Sequence, residues 1–191
     1  MPEEIEAKVR IESPEDFRRR VRACGGEPRG TVLEVNRLFD DAAGTLRRRG
    51  AALRLRRELD PEGRRTVRAT VTYKGPQAAG PLKRREELET AVESAETAAA
   101  ILGAIGLVET FRFEKRRAAW RLGPCEVTLD ELPRLGHFAE VEGPSARAIR
   151  KVLRDLGLAD RPVIRQSYVA LLEAHLKAVG LDPSRAVFAE E

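Results

Sequence analysis

The stretch MPEEIEAKVRI (residues 1–11) decides how the rest of the chain is read. Ile5, Ala7, Val9 and Ile11 alternate with Glu4, Glu6, Lys8 and Arg10, the period of two that marks a strand with one apolar face. The opposite face carries two carboxylates, an ammonium and a guanidinium in a row. That face is either wetted by solvent or turned onto something that binds charge. The remaining strands decide which.

The same division recurs along the chain. Patterning predicts further strands over 31–39, 52–58, 66–74, 82–91, 108–122, 126–130 and 138–142. In them Arg54 and Arg56 alternate with Leu53 and Leu55, and Arg68, Thr70, Thr72 and Lys74 with Val67, Ala69, Val71 and Tyr73. Arg85, Glu87 and Glu89 share a side, as do Glu126, Thr128 and Asp130, and Glu140 with Glu142. FRFEKRRAAW (111–120) does not alternate cleanly, so the pattern leaves the facing of Lys115 and Arg117 open. Three of the strands carry Glu-x-Glu and lead into a helix: Glu4 and Glu6, Glu87 and Glu89, Glu140 and Glu142.

Helices are signalled at SPEDFRRRVRACGG (13–26), SAETAAAILGAIG (94–106), PSARAIRKVLRDLG (144–157) and 167–179, each opening near a serine and closing at glycine. AAGTLRRRG (42–50), DPEGRR (60–65) and GPQAAGP (75–81) read as turns or loops. No composition break divides the chain, which reads as one domain over 1–180 with a loose tail over 181–191. Many strands without long crossovers, each with one charged face, fit an α+β fold in which an antiparallel sheet curves into a barrel, with four amphipathic helices available to cover it. If the apolar faces point inward, the charges are a wet surface. If they point outward beneath the helices, the charges line a tunnel.

Composition narrows the function. Charged residues make up 35% of the 191, yet the net charge is only +4, so the segregated basic excess of a nucleic-acid binder is missing. There is no signal-peptide pattern, no apolar run of membrane-spanning length and no CxxC pair, Cys24 and Cys125 being far apart. The cytoplasm is the expected compartment, with no membrane partner. A tunnel of mixed sign requires partners for both signs, because an isolated buried charge is costly. Carboxylates two apart on a strand lie about 7 Å apart, and oxygen ligands without His or Cys suit Mg²⁺ or Mn²⁺. Guanidinium forks match phosphate oxygens. A linear triphosphate with its divalent metal satisfies both halves. GTLRRRG lacks the Gly-Lys-Ser/Thr of a P-loop.

These residues resemble the CYTH family, named for class IV adenylate cyclase and thiamine triphosphatase and also called triphosphate tunnel metalloenzymes. EIEAK matches its ExExK signature, and LRLR, TYKG, KRREELE, EKRR, TLDELPRLG, FAEVEG and SYVALL follow in order. The resemblance implies a closed eight-stranded antiparallel β-barrel forming a tunnel, with amphipathic helices packed outside, and with Glu4, Glu6, Asp130, Glu140 and Glu142 on the metal side. It puts Lys8, Arg54, Arg56, Lys74, Arg85, Lys115 and Arg117 on the phosphate side, with Glu87 and Glu89 as additional acidic lining. Lys8, Glu4 and Glu6 are its candidate catalytic residues, Lys8 as a candidate base.

TYKGP and LDELPRLGHFAEVEG are closer to the class IV adenylate cyclase branch, which converts ATP to cyclic AMP and pyrophosphate. Leu38, Phe39 and Ala52 stand where thiamine triphosphatases resemble one another in having aromatic residues. Hydrolysis of inorganic, nucleoside or thiamine triphosphate is the alternative within the family, and a non-catalytic polyphosphate-binding module the alternative outside catalysis. A homodimer is compatible with the sequence. His137, His175 and Cys24 read as structural or surface residues, and Tyr73 as buried. Trp120 and Tyr168 are each either a core anchor or a contact to a base.

Overall fold

A computed structural model describes residues 3–188. Its strands are β1 (Glu3–Ile11), β2 (Glu27–Asp41), β3 (Ala52–Leu59), β4 (Thr66–Lys74), β5 (Lys83–Ala91), β6 (Leu107–Leu122), β7 (Cys125–Leu132), β8 (Gly136–Glu142) and β9 (Arg185–Ala186). The helices are α1 (Pro14–Ala23), α2 (Thr45–Arg48), α3 (Ala95–Ala104), α4 (Ala146–Asp155) and α5 (Tyr168–Ala178). The strands run β2-β3-β4-β5-β1-β8-β7-β6, and β2 pairs back onto β6 over Glu27–Asp41. The eight-stranded antiparallel barrel is therefore closed, as expected.

Burial along β1 answers the opening question. Ala7 and Val9 are sealed, but so are Glu6 and Lys8, at 5% and 1% exposure. Both faces are inside the molecule, one under helices and one in the barrel. The outward apolar faces of β1, β8, β7 and the end of β6 form one core with α1 and α4, in which Phe17 meets Trp120 edge-on at 6.3 Å. A second core sets α3 over Phe39, Leu55 and Ala69. The charges take the interior because the apolar faces have helices to pack against.

Local chemistry fixes the helices. Ser13, Ser94, Ser145 and Ser167 each accept a backbone N–H of the first turn, satisfying one otherwise orphaned donor. Gly25 ends α1 at φ +80, and a Cβ on Gly26 would meet Val21 Cγ1 at 2.5 Å, so the stop needs both glycines. α5 lies across the barrel's end. Its Tyr168, Leu172 and Leu176 pack on Phe111, Phe113, Leu132 and Phe138, which share the inward register of Lys115, Asp130 and Glu140.

Three expectations change. The segment 42–50, read as a turn, contains the single turn α2. The tail, read as loose, pairs through β9 in parallel with Arg112–Phe113 of β6 and buries Ala186. The Phe188 N–H then bonds Glu114 Oε2 at 2.9 Å. Tyr73 is only half-buried: the core beneath α3 reaches Val71 on β4 but does not include Tyr73. No helix among the described residues is long and apolar enough to cross a membrane.

Candidate active site

The barrel encloses a cavity of about 1070 Å³. Lys8 and Glu6 reach it from β1, Arg54 and Arg56 from β3, Lys74 from β4, Arg85, Glu87 and Glu89 from β5, Lys115 and Arg117 from β6, and Glu140 and Glu142 from β8. Of the expected residues, only Glu4 and Asp130 are not on its surface as described. Glu4 pairs with Arg85 through the backbone, and its side chain lies outside the described residues. β6 fails to alternate in sequence because it is polar on both sides here. Lys115 and Arg117 point in, while Arg116 points out to Glu131 and the Phe188 ring.

Asp130 sits behind the wall. Expected beside a metal, it instead spends its oxygens on cations and a phenol. Oδ1 accepts Arg117 Nε at 2.7 Å, and Oδ2 accepts Arg117 Nη2 at 2.7 Å, Tyr168 OH at 2.9 Å and Lys115 Nζ at 3.2 Å. Asp130 thereby braces Lys115 and Arg117 from behind. Glu34, absent from the expected set, does the same from β2. It is 1% exposed and faces Arg56 at 3.1 Å, Lys115 at 3.2 Å and Arg117 at 3.6 Å. Its signal in the sequence is the alternation of Glu34 and Asn36 with Leu33 and Val35. Asn36 in turn accepts Arg56 Nε at 3.0 Å.

These contacts set the ionisation. Burial alone would raise the Glu34 carboxyl, but Arg56, Lys115 and Arg117 outweigh it and hold the group well below the carboxylate range. Glu140 is likewise held far below that range by Lys8 and Arg117 against its own burial. Burial, then Asp130 and Glu140, push the Tyr168 phenol well above its ordinary value, so it stays protonated and donates to Asp130. Burial and the adjacent Arg117 lower Lys115. Burial and Arg56 lower Arg54 to about 10.

Lys8 is anchored rather than free. Its Nζ donates to the Gln166 carbonyl at 3.0 Å, meets Glu140 Oε1 at 3.2 Å and stands 4.0 Å from the centre of the Tyr168 ring. Arg54 and Arg85 contrast with it. Among the described residues, their Nε atoms are buried and have no hydrogen-bond partner, and the carboxylates nearest Arg54 are 3.7 and 3.8 Å away. Buried donors are rarely left unmade in native proteins unless water, an ion or a ligand completes them.

The acidic wall has its own register. Glu6 lies opposite Glu142, which lies opposite Glu126 on β7; Glu126 and Glu142 are exposed at the end where β7 begins. Among the described residues no three carboxylates converge on one point. An all-oxygen row on adjacent strands is nevertheless the donor chemistry of Mg²⁺ or Mn²⁺, so the residues present fit such an ion.

A closed barrel whose interior carries both signs of charge defines a tunnel protein. The CYTH domain model matches residues 2–168, and the chain belongs to the CYTH domain family. It is 26% identical over 177 residues to the protein named "Putative adenylate cyclase MJ0240" of Methanocaldococcus jannaschii, covering 88% of this chain and 97% of that one. Its fold matches a protein from Vibrio parahaemolyticus described as "a putative adenylate cyclase", with a TM-score of 0.77, 24% identity and coverage of 88% and 97%. It also matches HpAC1 from Hippeastrum, described as a "putative adenylyl cyclase" that "reveals a dominant" triphosphatase activity. There the TM-score is 0.69, the identity 20% and the coverage 94% and 97%.

Proposed function

We propose that this protein is a divalent-metal-dependent enzyme that holds a triphosphate in its tunnel and converts ATP to cyclic AMP and pyrophosphate. The observation that carries the reading is the pair of buried Nε donors, on Arg54 and Arg85, that have no hydrogen-bond partner among the described residues. Phosphate oxygens match them in charge and fork geometry. Arg56, Lys74, Lys115 and Arg117 stand along the same cavity, positioned by Glu34, Asp130 and Glu87.

In this reading the ribose 3′-hydroxyl attacks the α-phosphorus, the bond from that phosphorus to the bridging oxygen breaks, pyrophosphate leaves with its electron pair, and the hydroxyl's proton passes to solvent water. The chain's cations neutralise charge that moves onto pyrophosphate, and fixed donors lining a buried cavity do so without reorganising. Lys8 serves as a donor held against Glu140, with Tyr168 fixing its place. A bound Mg²⁺ or Mn²⁺ would supply further neutralisation of phosphate oxygens. Glu6, Glu140 and Glu142, with Glu126 beside them, would hold it.

Hydrolysis is the second reading, favoured by the triphosphatase activity described for the Hippeastrum protein. The test incubates the protein with ATP or tripolyphosphate and Mg²⁺ or Mn²⁺ and resolves the products. Cyclic AMP with pyrophosphate is the expected result. Orthophosphate without cyclic AMP would replace the cyclase with a hydrolase. Tight binding with no product under either metal would leave a polyphosphate-binding module and overturn catalysis.

A further inference from the structure

The near-balance of charge in the chain hides a local excess. α1 and α4 lie side by side on the outer wall formed by β1, β7 and β8. Both bury their apolar stripes in the same core, Phe17 and Val21 from one and Ile149 and Val152 from the other. Arg20 Nη1 also donates to the Leu156 carbonyl at 3.2 Å, just past the end of α4. Together the two helices carry eight basic residues and three acidic ones, an excess of five, where the whole chain has an excess of four. The rest of the molecule is therefore slightly negative. Totals taken over the sequence average this segregation away, and only the fold, by setting α1 beside α4, brings it onto one face.

Pairing sets this face apart from the rest of the exterior. On the outer side of β2, β3 and β6, Arg37, Arg57, Arg112 and Arg116 each meet a carboxylate within 3.5 Å. On the two helices the acids are already taken, Glu15 by Arg18, Asp16 by Arg19 and Asp155 by Lys151. Among the described residues none of Arg20, Arg22, Arg147, Arg150 and Arg154 forms an ion pair, and all five are exposed. The helix dipole accounts for three of them, since Arg20, Arg22 and Arg154 stand in last turns, where a cation is favoured. It does not account for Arg147, which stands in the first turn of α4 with no acid beside it. A cation there opposes the dipole. An uncompensated local conflict of this kind points to a role outside folding.

We propose that α1 and α4 form a docking surface for the sugar-phosphate backbone of a nucleic-acid duplex, bound without regard to sequence. Seven of the eight cations are arginines, whose forks match phosphate oxygens in charge and shape. Each helix has ten residues and is about 15 Å long, which spans roughly four phosphates of one strand. Bases are not read, because Phe17 and Trp120 are sealed beneath the helices and offer no platform on which an unpaired base could stack. A lipid surface fits less well. The large apolar side chains exposed among the described residues are Val67, Leu88, Ile101, Ile105, Val108, Val179 and Leu181, and none is on α1 or α4, so nothing on this face would enter the acyl boundary. Neither helix lines the tunnel, so the surface is separate from the triphosphate site and does not depend on that reading.

Fluorescence anisotropy with a labelled DNA duplex of roughly 20 base pairs, and with an RNA duplex of the same sequence, tests it. Binding of either duplex is the expected result, and the two arms tell which backbone is preferred. With about four phosphates neutralised, affinity should fall roughly 100-fold between 50 and 200 mM salt and stay within twofold when the sequence is scrambled. The double variant Arg147→Glu with Arg150→Glu reverses charge at exposed positions early in α4, where acids suit the dipole and the helix is kept. It should weaken duplex binding at least tenfold. Arg22→Gln, on α1, should weaken it less and lower the salt slope by about one. Calorimetry with methylene-bridged tripolyphosphate, which does not turn over, should stay within twofold in both variants, because the tunnel is untouched. No anisotropy change at 50 mM salt with up to about 100 μM protein would overturn the proposal. So would duplex binding that the double variant leaves unaltered, which would assign the nucleic acid to another face. Capture by vesicles of phosphatidylserine and phosphatidylcholine, with neither duplex bound, would replace the nucleic acid with a lipid surface.

Discussion

Replacing Glu34 by glutamine tests whether the tunnel is a set of cations held in place by buried carboxylates. The substitution keeps volume and shape but removes the charge shared by Arg56, Lys115 and Arg117. Glu34 is 1% exposed and Lys115 2%, so solvent screening gives little relief. Removing one partner of a buried ion pair costs roughly 3–5 kcal/mol. Asp130 still serves Lys115 and Arg117, which favours the lower end, about 3 kcal/mol. For a chain of 191 residues each kcal/mol moves Tm by about 2–4 °C, so the variant should melt about 6–12 °C lower.

Two further observables separate this account from simple damage. Tripolyphosphate should raise the variant's Tm more than the parent's, because the ligand returns negative charge to the same three cations. The gap between parent and variant should also depend on pH with a defined sign. Folded Glu34 is held ionised well below its ordinary 4.5. Below that pH the unfolded parent binds a proton that the folded parent does not, so the parent's advantage is full above 4.5 and shrinks as the solution is acidified. Circular-dichroism melts from pH 7 to pH 3, with and without tripolyphosphate, measure all three effects. A Tm drop under 2 °C, or equal ligand-induced rises in the two proteins, would refute the bracing role.

Other substitutions probe separate parts of the site. Arg54→Ala and Arg85→Ala each remove a charged donor aimed at phosphate, worth about 1.5–3 kcal/mol; titration should show tripolyphosphate binding weaker by roughly 10–100-fold. Tyr168→Phe loses the bond to Asp130 and leaves that carboxylate one donor short, for a loss near 1 kcal/mol in urea unfolding; unchanged stability would remove Tyr168 from the brace. Glu142→Gln should raise the Mg²⁺ or Mn²⁺ concentration needed for half-maximal turnover, and an unaltered metal titration would take Glu142 off the metal side.

What could be read in advance follows from how local each signal is. The barrel's strands were legible because alternation is a two-residue pattern, and six segments carried it; closure and the count of eight came with the family resemblance. Within that pattern Glu6, Arg56 and Glu140 converge on one cavity. Lys115 and Arg117 could not be faced, since β6 also puts Glu114 and Arg116 on its outer side. α2 was invisible because a four-residue helix has little stability of its own; Asp40 holds it through bonds that only the folded loop creates. Asp130 looked like its neighbours Glu140 and Glu142 in sequence. What separates it is a phenol 38 positions away, and no local pattern encodes that distance.

The resting tunnel is a network of mutual substitutes, and this has a thermodynamic consequence. Lys83 holds Glu6 at 2.5 Å, Lys74 holds Glu87 at 2.5 Å, and Arg117 holds Glu140 at 2.6 Å. A phosphate chain arriving alone must draw cations from these carboxylates and leave acids buried beside it. A divalent cation arriving alone does the reverse and strands ammonium and guanidinium groups. Arriving together, each satisfies what the other displaces, so their binding must be positively coupled and the coupling reciprocal. Calorimetric titration of the methylene-bridged tripolyphosphate with and without saturating Mg²⁺ should show at least a tenfold gain, about 1.4 kcal/mol of coupling. Part of that gain arises from the metal complexing phosphate in solution. Glu6→Gln separates the two sources, because it removes protein-held coupling and leaves solution complexation intact. Equal gains in parent and variant would mean that the acidic wall does not hold the metal.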